Sequence, residues 1–313
     1  MLMKIGIDIG GTKCAVIFGD EKQILGRVQF PTSDPDTTLN KIEKIIKDYV
    51  TEHNAKADAI GISCGGPLDA KKGLIQSPPN LIGWDNIPVT DYFSKAFGIP
   101  AYLCNDADAG ALAEHRYGIG RGLDNLVFLT FGTGMGAGMI LNGRLYSGTS
   151  GMAGEIGHTR MCENGPVGYG KRGSFEGFCS GGGIAQIGKT LALECLQTGK
   201  TLPYCKSVKD LDLLTAKLLA EQARLGDETA REVFRISGEM LGRGLAVLLD
   251  VLNPQMIIIG SVFARSEDLL RPYMEETLRK EALSRNYADC TIVPSSLGEQ
   301  IGDYAALAVA QGV

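Results

Sequence analysis

The chain contains two copies of one glycine-rich pattern, separated by 122 residues. Residues 5–18 read IGIDIGGTKCAVIF, and residues 127–140 read VFLTFGTGMGAGMI. Each copy is an apolar segment, a turn rich in glycine and threonine, and a second apolar segment, which is the pattern of a β-hairpin. Two glycine-rich hairpins can resemble each other by chance, but the matching turn positions favour a duplicated domain with a cleft between the copies. The aligned positions are Asp8 with Thr130, Gly10 with Gly132 and Ala15 with Ala137.

The rest of the chain alternates between strand and helix patterns, which predicts α/β layers. Asn142-Gly143, just after the second copy, predicts a type I′ turn. We expect a smaller domain of residues 1–112 completed by residues 298–313, and a larger domain of residues 113–297. The predicted strands are 58–65, 101–106 and 256–260, and the predicted helices are 37–53, 90–97, 107–118, 183–197, 208–224, 227–252, 266–284 and 300–311.

Charge and cysteine content exclude several classes of protein. The 313 residues carry 31 Lys and Arg against 36 Asp and Glu, a net charge of −5, with no dense basic run. This balance argues against a nucleic-acid-binding or anionic-membrane surface. The eight cysteines are scattered without a CxxC pair, which is typical of reduced thiols. Because neither a signal peptide nor an apolar run of roughly 18 residues is present, we expect a soluble, cytoplasmic protein.

The first turn combines a carboxylate with a glycine-rich loop. Glycines allow backbone N–H groups to surround phosphate oxygens, and a threonine hydroxyl and a lysine ammonium can add to that cradle. A carboxylate just before the loop is suited to orient a hydrated Mg²⁺ that bridges the phosphates. A plain tight hairpin would use the same glycines, so the motif alone leaves both interpretations open. Its residues are Asp8, Gly10, Gly11, Thr12 and Lys13.

The second turn, residues 132–138, contains a GxGxxA pattern with Glu155 about 20 residues later, which resembles a dinucleotide-binding fingerprint. That fingerprint requires a helix to begin here, whereas residues 139–143 continue as a strand into a turn. We therefore predict a second phosphate loop, with Gly132, Thr133 and Gly134 as its contacts.

Residues 183–190, GIAQIGKT, formally match a nucleotide-binding P-loop. Their intervening residues are apolar and helical in character, and Ser180-Gly181-Gly182 before them favours the start of a helix rather than the end of a strand. The context therefore argues against a P-loop at this position.

Two further groups of polar residues are candidates for chemistry. Asn105-Asp106 follow an apolar strand at the start of a helix, where they are either a helix cap or a general base at the carboxyl end of a sheet. Glu155, His158 and Glu176 suit the hydroxyls of a sugar, or are surface carboxylates beside a structural histidine. The residues alone do not decide between these alternatives.

Six separated motifs together resemble the ROK family of sugar kinases, within the actin/hexokinase/Hsp70 superfamily. The resemblance covers nearly the whole chain and implies duplicated actin-like ATPase domains, of ribonuclease H-like α/β fold, with a cleft between them. The motifs are IGIDIGGTK, SCGGPLD, PPNLIGW, CNDADAGALAE, FGTGMGAG and GMAGEIGH.

The resemblance implies an enzyme that uses ATP and Mg²⁺ to phosphorylate a hexose. In it Asp106 is the base that takes a proton from a sugar hydroxyl, usually O6, as that hydroxyl attacks the γ-phosphoryl. Asp8 positions Mg²⁺ through water. The implied sugar-binding residues are Gly66, Asn80, Asn105, Asp106, Glu155, His158 and Glu176. The implied nucleotide-binding residues are Asp8, Gly10, Gly11, Thr12, Lys13, Gly132, Thr133, Gly134 and Gly260.

Three departures from the family pattern stand out. Many members carry a zinc site made of the histidine at position 158 and a CxCGxxGC motif, but all three cysteine positions are replaced here. One histidine cannot supply the roughly four ligands of a structural zinc site, so we expect no zinc. Asp108 stands where the family often has asparagine, and Ser261 where glycine is usual. The residues at the three cysteine positions are Val167, Tyr169 and Ser174.

Glucose is the acceptor that the resemblance favours, with N-acetylmannosamine, N-acetylglucosamine, mannose, fructose and allose as alternatives. A sugar-sensing regulator is the alternative from another class, because the family includes repressors. Those carry a DNA-binding helix-turn-helix before the kinase-like fold, for which we expect no room ahead of Asp8. The resemblance further implies a homodimer or homotetramer whose ligands are a sugar and ATP, with no nucleic-acid or membrane partner.

Overall fold

A computed structural model describes residues 2–312, so the outermost positions of the predicted domain bounds, 1 and 313, lie outside the described residues. The described chain is a mixed α/β protein, as predicted. Its strands are β1 (Met3–Ile9), β2 (Lys13–Gly19), β3 (Ile24–Pro31), β4 (Ala57–Cys64), β5 (Leu68–Asp69), β6 (Leu74–Ile75), β7 (Ile87–Pro88), β8 (Ala101–Asn105), β9 (Leu126–Leu129), β10 (Ala137–Leu141), β11 (Arg144–Leu145), β12 (Val167–Gly168), β13 (Lys171–Arg172), β14 (Met256–Ile259) and β15 (Thr291–Pro294). Its helices are α1 (Pro35–Glu52), α2 (Val89–Phe97), α3 (Asp106–Arg116), α4 (Phe175–Phe178), α5 (Gly181–Gln197), α6 (Ala216–Arg224), α7 (Glu228–Leu252), α8 (Val262–Glu281), α9 (Ser284–Asp289) and α10 (Ile301–Val309).

Two five-stranded sheets share one strand order. The first runs β3-β2-β1-β4-β8, and the second runs β11-β10-β9-β14-β15. In each, a glycine-rich hairpin is followed along the chain by strands that extend the sheet on its other side; β4 and β8 are parallel to β1, and β15 is parallel to β14. The repeated order confirms the duplication predicted from the two hairpins.

The turn between β10 and β11 confirms a local prediction. Asn142 and Gly143 have φ values of 53° and 72°, and Leu141 pairs with Arg144 across them. Two consecutive residues with positive φ define a type I′ turn, which asparagine and glycine tolerate best.

One predicted helix was wrong in extent. The continuous helix predicted over residues 208–224 is a 3₁₀ turn, Val208–Leu213, followed by α6. Thr215 separates the two because its backbone is extended and its side chain accepts a hydrogen bond from the N–H of Leu218, capping α6. Apolar spacing alone does not distinguish a capped restart from a continuous helix.

The described residues form two compact units. The first contains the residues up to Phe128, Gly138–Ala153 and the residues from Ser295 onward; the second contains Leu129–Ala137 and Gly154–Pro294. The domain bounds expected from the sequence stay a prediction. Within residues 2–312, no helix has the combination of length and apolar character that a membrane crossing requires.

Helix α10 packs directly on the first sheet, and two strand glycines allow it. A Cβ atom on Gly61 would lie 2.1 Å from the backbone nitrogen of Ala310, and one on Gly6 would lie 2.9 Å from Cβ of Ala306. Any larger side chain at these positions would push the helix away from β1 and β4. The opposite side of the sheet is covered by a buried cluster that includes Ile42, Trp84 and Phe93.

Candidate functional site

The predicted site residues fall into two sets, one in each unit. The first unit holds Asp8, Gly10, Gly11, Thr12, Lys13, Gly66, Asn80, Asn105 and Asp106. The second holds Gly132, Thr133, Gly134, Glu155, His158, Glu176 and Gly260.

Three parallel strands of the first sheet end side by side. Ile9 of β1 pairs with Cys64 of β4, and Cys64 pairs with Asn105 of β8. The residues that follow these strands therefore share one sheet edge, the carboxyl edge at which open α/β sheets bind ligands. Gly10, Gly66 and Asp106 come together there, although they lie far apart in the sequence.

The loop between β1 and β2 is held by a residue that the sequence analysis missed. The hydroxyl of Thr32 donates to the carbonyl of Gly10 at 2.6 Å, and the N–H of Thr32 donates to the carbonyl of Thr12 at 3.1 Å. The N–H of Gly10 closes the turn on the carbonyl of Lys13 at 3.1 Å. A lone threonine after a strand carries no sequence signal for this role.

Asn80 lies against the first loop. A Cβ atom on Gly11 would be 2.4 Å from the Asn80 carbonyl oxygen, so only glycine permits this approach. The segment that carries Asn80 is anchored by Trp84, a fully buried residue whose indole N–H donates to the Ser33 carbonyl at 3.2 Å.

Asp8 is a carboxylate among other carboxylates. Burial, followed by the negative charges of Asp303 and Asp106, raises its pKa from 3.8 to about 6. Asp303 lies in the first turn of α10, where the Arg27 guanidinium holds it through Nε at 2.8 and 2.9 Å. Neighbouring Gly302 is close, since a Cβ atom there would be 3.2 Å from Oδ2 of Asp8.

A divalent cation fits this environment, because its charge would offset the repulsion among the carboxylates. Among residues 2–312, no group of three or more His, Cys, Asp or Glu side chains is placed to hold a metal ion without other ligands. Asp8 therefore fits Mg²⁺ only if water and phosphate oxygens complete its shell, which is how Mg²⁺ is usually bound.

Asn105 and Asp106 begin α3. The Asn105 side-chain oxygen accepts from the N–H of Ala107 at 2.9 Å, which confirms the helix-cap interpretation for that residue. Asp106 is exposed in the first helical turn, with Oδ1 also 2.9 Å from the Ala107 nitrogen. A Cβ atom on Gly66 would lie 3.5 Å from the Asn105 amide nitrogen, so this amide faces the Gly66 loop. Asn105 caps the helix, and Asp106 can still be considered as a base, so the two interpretations of this residue pair do not exclude each other.

In the second unit, the loop between β9 and β10 closes on itself. The N–H of Thr130 donates to the Gly136 carbonyl at 3.0 Å, and the N–H of Gly136 returns a bond to the Thr130 hydroxyl at 2.8 Å. The chain then continues as strand β10, which confirms that this is not the strand–helix turn of a dinucleotide site.

Two elements of the second unit border this loop at Gly132. The N–H of Gly181, at the start of α5, donates to the Gly132 carbonyl at 2.8 Å. A Cβ atom on Gly132 would lie 3.6 Å from the hydroxyl of Ser261, the residue after Gly260. Ser261 has φ 56° and ψ −109°, which explains why glycine is the usual residue at its position.

Glu176 connects the second loop to the histidine turn. Its Oε2 accepts from the N–H of Met135 at 3.0 Å, and a Cβ atom on Gly134 would lie 2.7 Å from the same oxygen. A Cβ atom on Gly157 would lie 3.3 Å from Cβ of Glu176. His158 ends the 3₁₀ turn Ile156–His158, its N–H bonded to the Glu155 carbonyl at 3.1 Å, and both side chains are exposed.

The formal P-loop lies inside α5, which confirms that its context is wrong for a phosphate loop. Its lysine, Lys189, forms an ion pair with Asp212 at 2.9 Å. The start of α5 does reach the second glycine loop, but through Gly181, which lies outside the formal P-loop match.

The family model described as "ROK family" matches residues 4–313. Over 307 residues the chain is 32% identical to a glucokinase of Halalkalibacterium halodurans, covering 95% of this chain and 92% of that protein. It is 30% identical to an N-acetylmannosamine kinase of Escherichia fergusonii, covering 85% of each. It is 27% identical to a xylose repressor of Caldicellulosiruptor bescii, covering 95% of this chain and 75% of that protein.

Solved structures show the same fold. A ROK hexokinase from Thermus thermophilus is similar with a TM-score of 0.82 and 26% identity, covering 98% of this chain and 97% of that one. A ROK family glucokinase from Streptomyces griseus, solved in complex with glucose and AMPPNP, is similar with a TM-score of 0.76 and 28% identity, covering 99% of this chain and 100% of that one. The chain has the actin-like ATPase fold of these proteins, as the sequence motifs predicted.

Proposed function

The chain belongs to the ROK family, and we propose that it is an ATP-dependent hexose kinase that transfers the γ-phosphoryl group of MgATP to O6 of glucose. The observation that carries this proposal is the shared edge of β1, β4 and β8. It brings a candidate base, Asp106, to the same sheet edge as a glycine loop and the partly buried carboxylate of Asp8.

Asp106 is the general base in this proposal. A sugar hydroxyl is a weak nucleophile until its proton is removed, and a carboxylate within hydrogen-bonding reach can accept that proton as the hydroxyl oxygen attacks phosphorus. The position of Asp106 at the start of α3 leaves its side chain exposed to a ligand. Asn105, fixed as the helix cap, presents its amide nitrogen toward Gly66 and is suited to bind a neighbouring hydroxyl.

Phosphate binding rests on backbone donors and on Asp8. In the first loop Gly10, Gly11, Thr12 and Lys13 are the proposed contacts, and in the second Gly132, Thr133 and Gly134, with Gly260 beside the adenosine. Asp8 would hold Mg²⁺ through water. When bound, Mg²⁺ neutralises charge on the phosphate oxygens.

Sugar binding uses side chains that accept and donate hydrogen bonds. Glu155, His158 and Glu176 in the second unit, and Asn80 and Asn105 in the first, are the proposed ligands of the ring hydroxyls. Glu176 is already oriented by its bond to the N–H of Met135. Glucose is favoured because it is the substrate that the names of the glucokinase relatives indicate. N-acetylmannosamine is the first alternative, followed by N-acetylglucosamine, mannose, fructose and allose.

A non-catalytic sugar-sensing regulator is the second candidate, favoured by the similarity to a xylose repressor. A regulator needs to bind sugar but has no need of a base beside the reacting hydroxyl. The presence of Asp106 at the sheet edge therefore supports the kinase. Assembly as a dimer or tetramer and a cytoplasmic location stay predictions.

The test is ADP release from MgATP, measured by a coupled assay across the hexoses named above, for the wild type and Asp106→Asn. The kinase predicts turnover that depends on one of these sugars and falls by roughly 1,000-fold in the variant. Calorimetry with the same sugars accompanies the assay. Tight sugar binding without turnover would overturn the kinase and support the regulator.

A further inference from the structure

The segment Thr159–Ser174 contains the positions of the zinc-binding cysteines in the family pattern described above, and its residues do not fit that ion. Val167 offers no donor, and the other two replaced positions offer a phenol and a hydroxyl, Tyr169 and Ser174. The segment nevertheless has regular backbone pairing, with a bridge between Arg160 and Ser174 and two short strands. Its order must come from contacts of the protein itself.

A small hairpin replaces the metal-binding loop. Strands β12 and β13 pair Val167 with Arg172 and Gly168 with Lys171. Tyr169 and Gly170 form the connection with φ values of 43° and 74°, which define a two-residue turn of the type that suits hairpins.

Helix α5 holds the base of this hairpin. The Gln186 side-chain amide accepts from the N–H of Val167 at 3.0 Å and donates to the carbonyl of the same residue at 2.9 Å. This paired contact satisfies both polar groups of one strand residue. The next residue, Gly168, packs on the helix that carries Glu176, because a Cβ atom there would lie 2.6 Å from the Gly177 nitrogen and 2.9 Å from Cβ of Glu176.

The other end of the hairpin contacts His158 in two ways. The Lys171 ammonium donates to the His158 carbonyl at 2.6 Å. The ring of Tyr169 stands edge-on to the imidazole, with 6.5 Å between ring centroids and 78° between planes. Tyr169 is 74% exposed, so its ring contributes little to a core and its contact with the imidazole is its most specific interaction.

We propose that Tyr169 and Lys171 are positioning residues for His158, and that the hairpin orders the histidine through a hydrogen bond and a ring contact without a metal. Lys171 fixes the backbone of the histidine turn, and Tyr169 limits the rotation of the imidazole. The ring nitrogens then remain available to a sugar hydroxyl instead of a metal. This last step rests on the proposed sugar-binding role of His158.

The first test is NMR of the histidine ring signals, and it does not depend on kinase activity. The chain has three histidines, so His158→Ala assigns its signal directly. Tyr169→Ala and Lys171→Met should shift or broaden the His158 signal, while the signals of His53 and His115 stay in place. Tyr146→Ala, which removes a tyrosine 51% exposed elsewhere, is the matched control and should leave all three unchanged. An unmoved His158 signal in both hairpin variants would overturn the proposal.

The second test is the split between KM and kcat. Tyr169→Ala and Lys171→Met should each raise KM for the sugar by roughly 10-fold, as expected when binding must order a loosened side chain. KM for ATP should stay within about twofold, and Tyr169→Phe should restore the wild-type value because the ring contact does not need the hydroxyl. In a His158→Ala background the effect of Tyr169→Ala should vanish.

The results of these two tests distinguish a failure of the proposed kinase activity from a failure of the proposed positioning of His158. If no sugar is turned over by the wild type, the proposed function fails, and the NMR measurement still decides whether the hairpin positions His158. If the His158 signal moves but KM for the sugar does not change, the positioning role in sugar binding is overturned. Equal increases in KM for the sugar and for ATP, or a loss of folded protein measured by circular dichroism, would indicate a general structural role. Either result would also overturn the positioning role.

Discussion

The two glycine loops begin from one sequence pattern but differ in the polar residue that precedes the turn, Asp8 in the first copy and Thr130 in the second. In the second loop Thr130 uses its hydroxyl to accept from the N–H of Gly136 at 2.8 Å, so this side chain stabilises the loop itself. The corresponding residue before the first loop is Asp8, a partly buried carboxylate whose pKa is raised to about 6. Thr130 therefore stabilises the structure of its own loop, whereas Asp8 carries a charge that its surroundings in the folded chain disfavour.

The two loops also differ in the hydrogen bonds that hold them in place. The first loop is fastened from outside by Thr32, which bonds to Gly10 and Thr12, so Asp8 is not needed to close the turn. Residues held in an unfavourable state by their surroundings are a mark of functional sites. Changes at the two equivalent positions should therefore affect stability with opposite signs.

Among changes in and beside the two loops, the largest expected effect is that of Asp8→Asn. It should lower kcat by roughly 100-fold, because the variant loses the negative charge that complements the cation bound to the transferring phosphoryl group. Its stability should rise. The pKa of Asp8 is higher in the folded chain than its usual 3.8, so folding is disfavoured once the carboxylate ionises, and the penalty grows as the pH rises from about 4 to about 6.

A shift of this size corresponds to roughly 3 kcal/mol, so Asp8→Asn should increase the free energy of unfolding by up to about that amount at pH 7 to 8. The gain should disappear as the pH falls below about 4, where Asp8 of the wild type is protonated in both the folded and the unfolded chain. Urea unfolding at several pH values, without Mg²⁺ or nucleotide, measures it. A variant that is less stable than the wild type at pH 7 would contradict the contrast between the loops.

Thr130→Val is the matched change in the second loop. Valine keeps the shape of threonine but leaves the N–H of Gly136 without its acceptor, which should lower the free energy of unfolding by roughly 1–2 kcal/mol. Because Thr130 carries no charge, its effect should be the same at pH 4 and pH 8. Denaturant unfolding across that pH range checks both expectations, and a pH-dependent loss would show that the two positions do not differ as described.

Ser261→Gly tests the strain beside the second loop. With φ 56° and ψ −109°, Ser261 occupies a backbone region that L-residues with a Cβ atom rarely adopt. Removing its Cβ atom should stabilise the protein by roughly 1 kcal/mol, after the loss of its hydroxyl contact with Arg265 and the greater freedom of glycine in the unfolded chain are included. Thermal unfolding measures this change, and destabilisation would show that the hydroxyl matters more than the strain.

The smallest effect is expected from Lys189→Met, in the formal P-loop. This lysine pairs with exposed Asp212 on the surface, so its loss should change stability by less than about 0.5 kcal/mol. KM for ATP should not change. An increase in KM for ATP would mean that α5, which reaches the second loop through Gly181, contributes to nucleotide binding beyond its first residues.

Much of this molecule was predictable where the signal is local. The hairpins, the Asn142-Gly143 turn and the strand ends before Gly10 and Asp106 follow from apolar periodicity and from residues with special backbone preferences. The break before Thr215 was missed because a capping threonine inside an apolar repeat resembles a continuing helix.

The contacts that tune the site were not predictable from one sequence. Asp303 and Arg27, which face Asp8, are 276 positions apart, and only the packing of α10 against the first sheet brings them together. Thr32 and Gln186 each act through two hydrogen bonds to backbone groups, which leave no pattern in the neighbouring residues. The sequence indicated the hairpin at Tyr169 only indirectly, because the three cysteines of the family's zinc motif are replaced there.

The most direct test of the central claim is ³¹P NMR of MgATP and glucose incubated with the wild-type protein. The γ-phosphorus signal should disappear and a phosphomonoester signal of glucose 6-phosphate should replace it, and neither change should occur on the same timescale with Asp106→Asn. If the γ-phosphorus appears instead as inorganic phosphate, or remains in ATP with every hexose named above, the protein does not transfer phosphate to a hexose and the account is wrong.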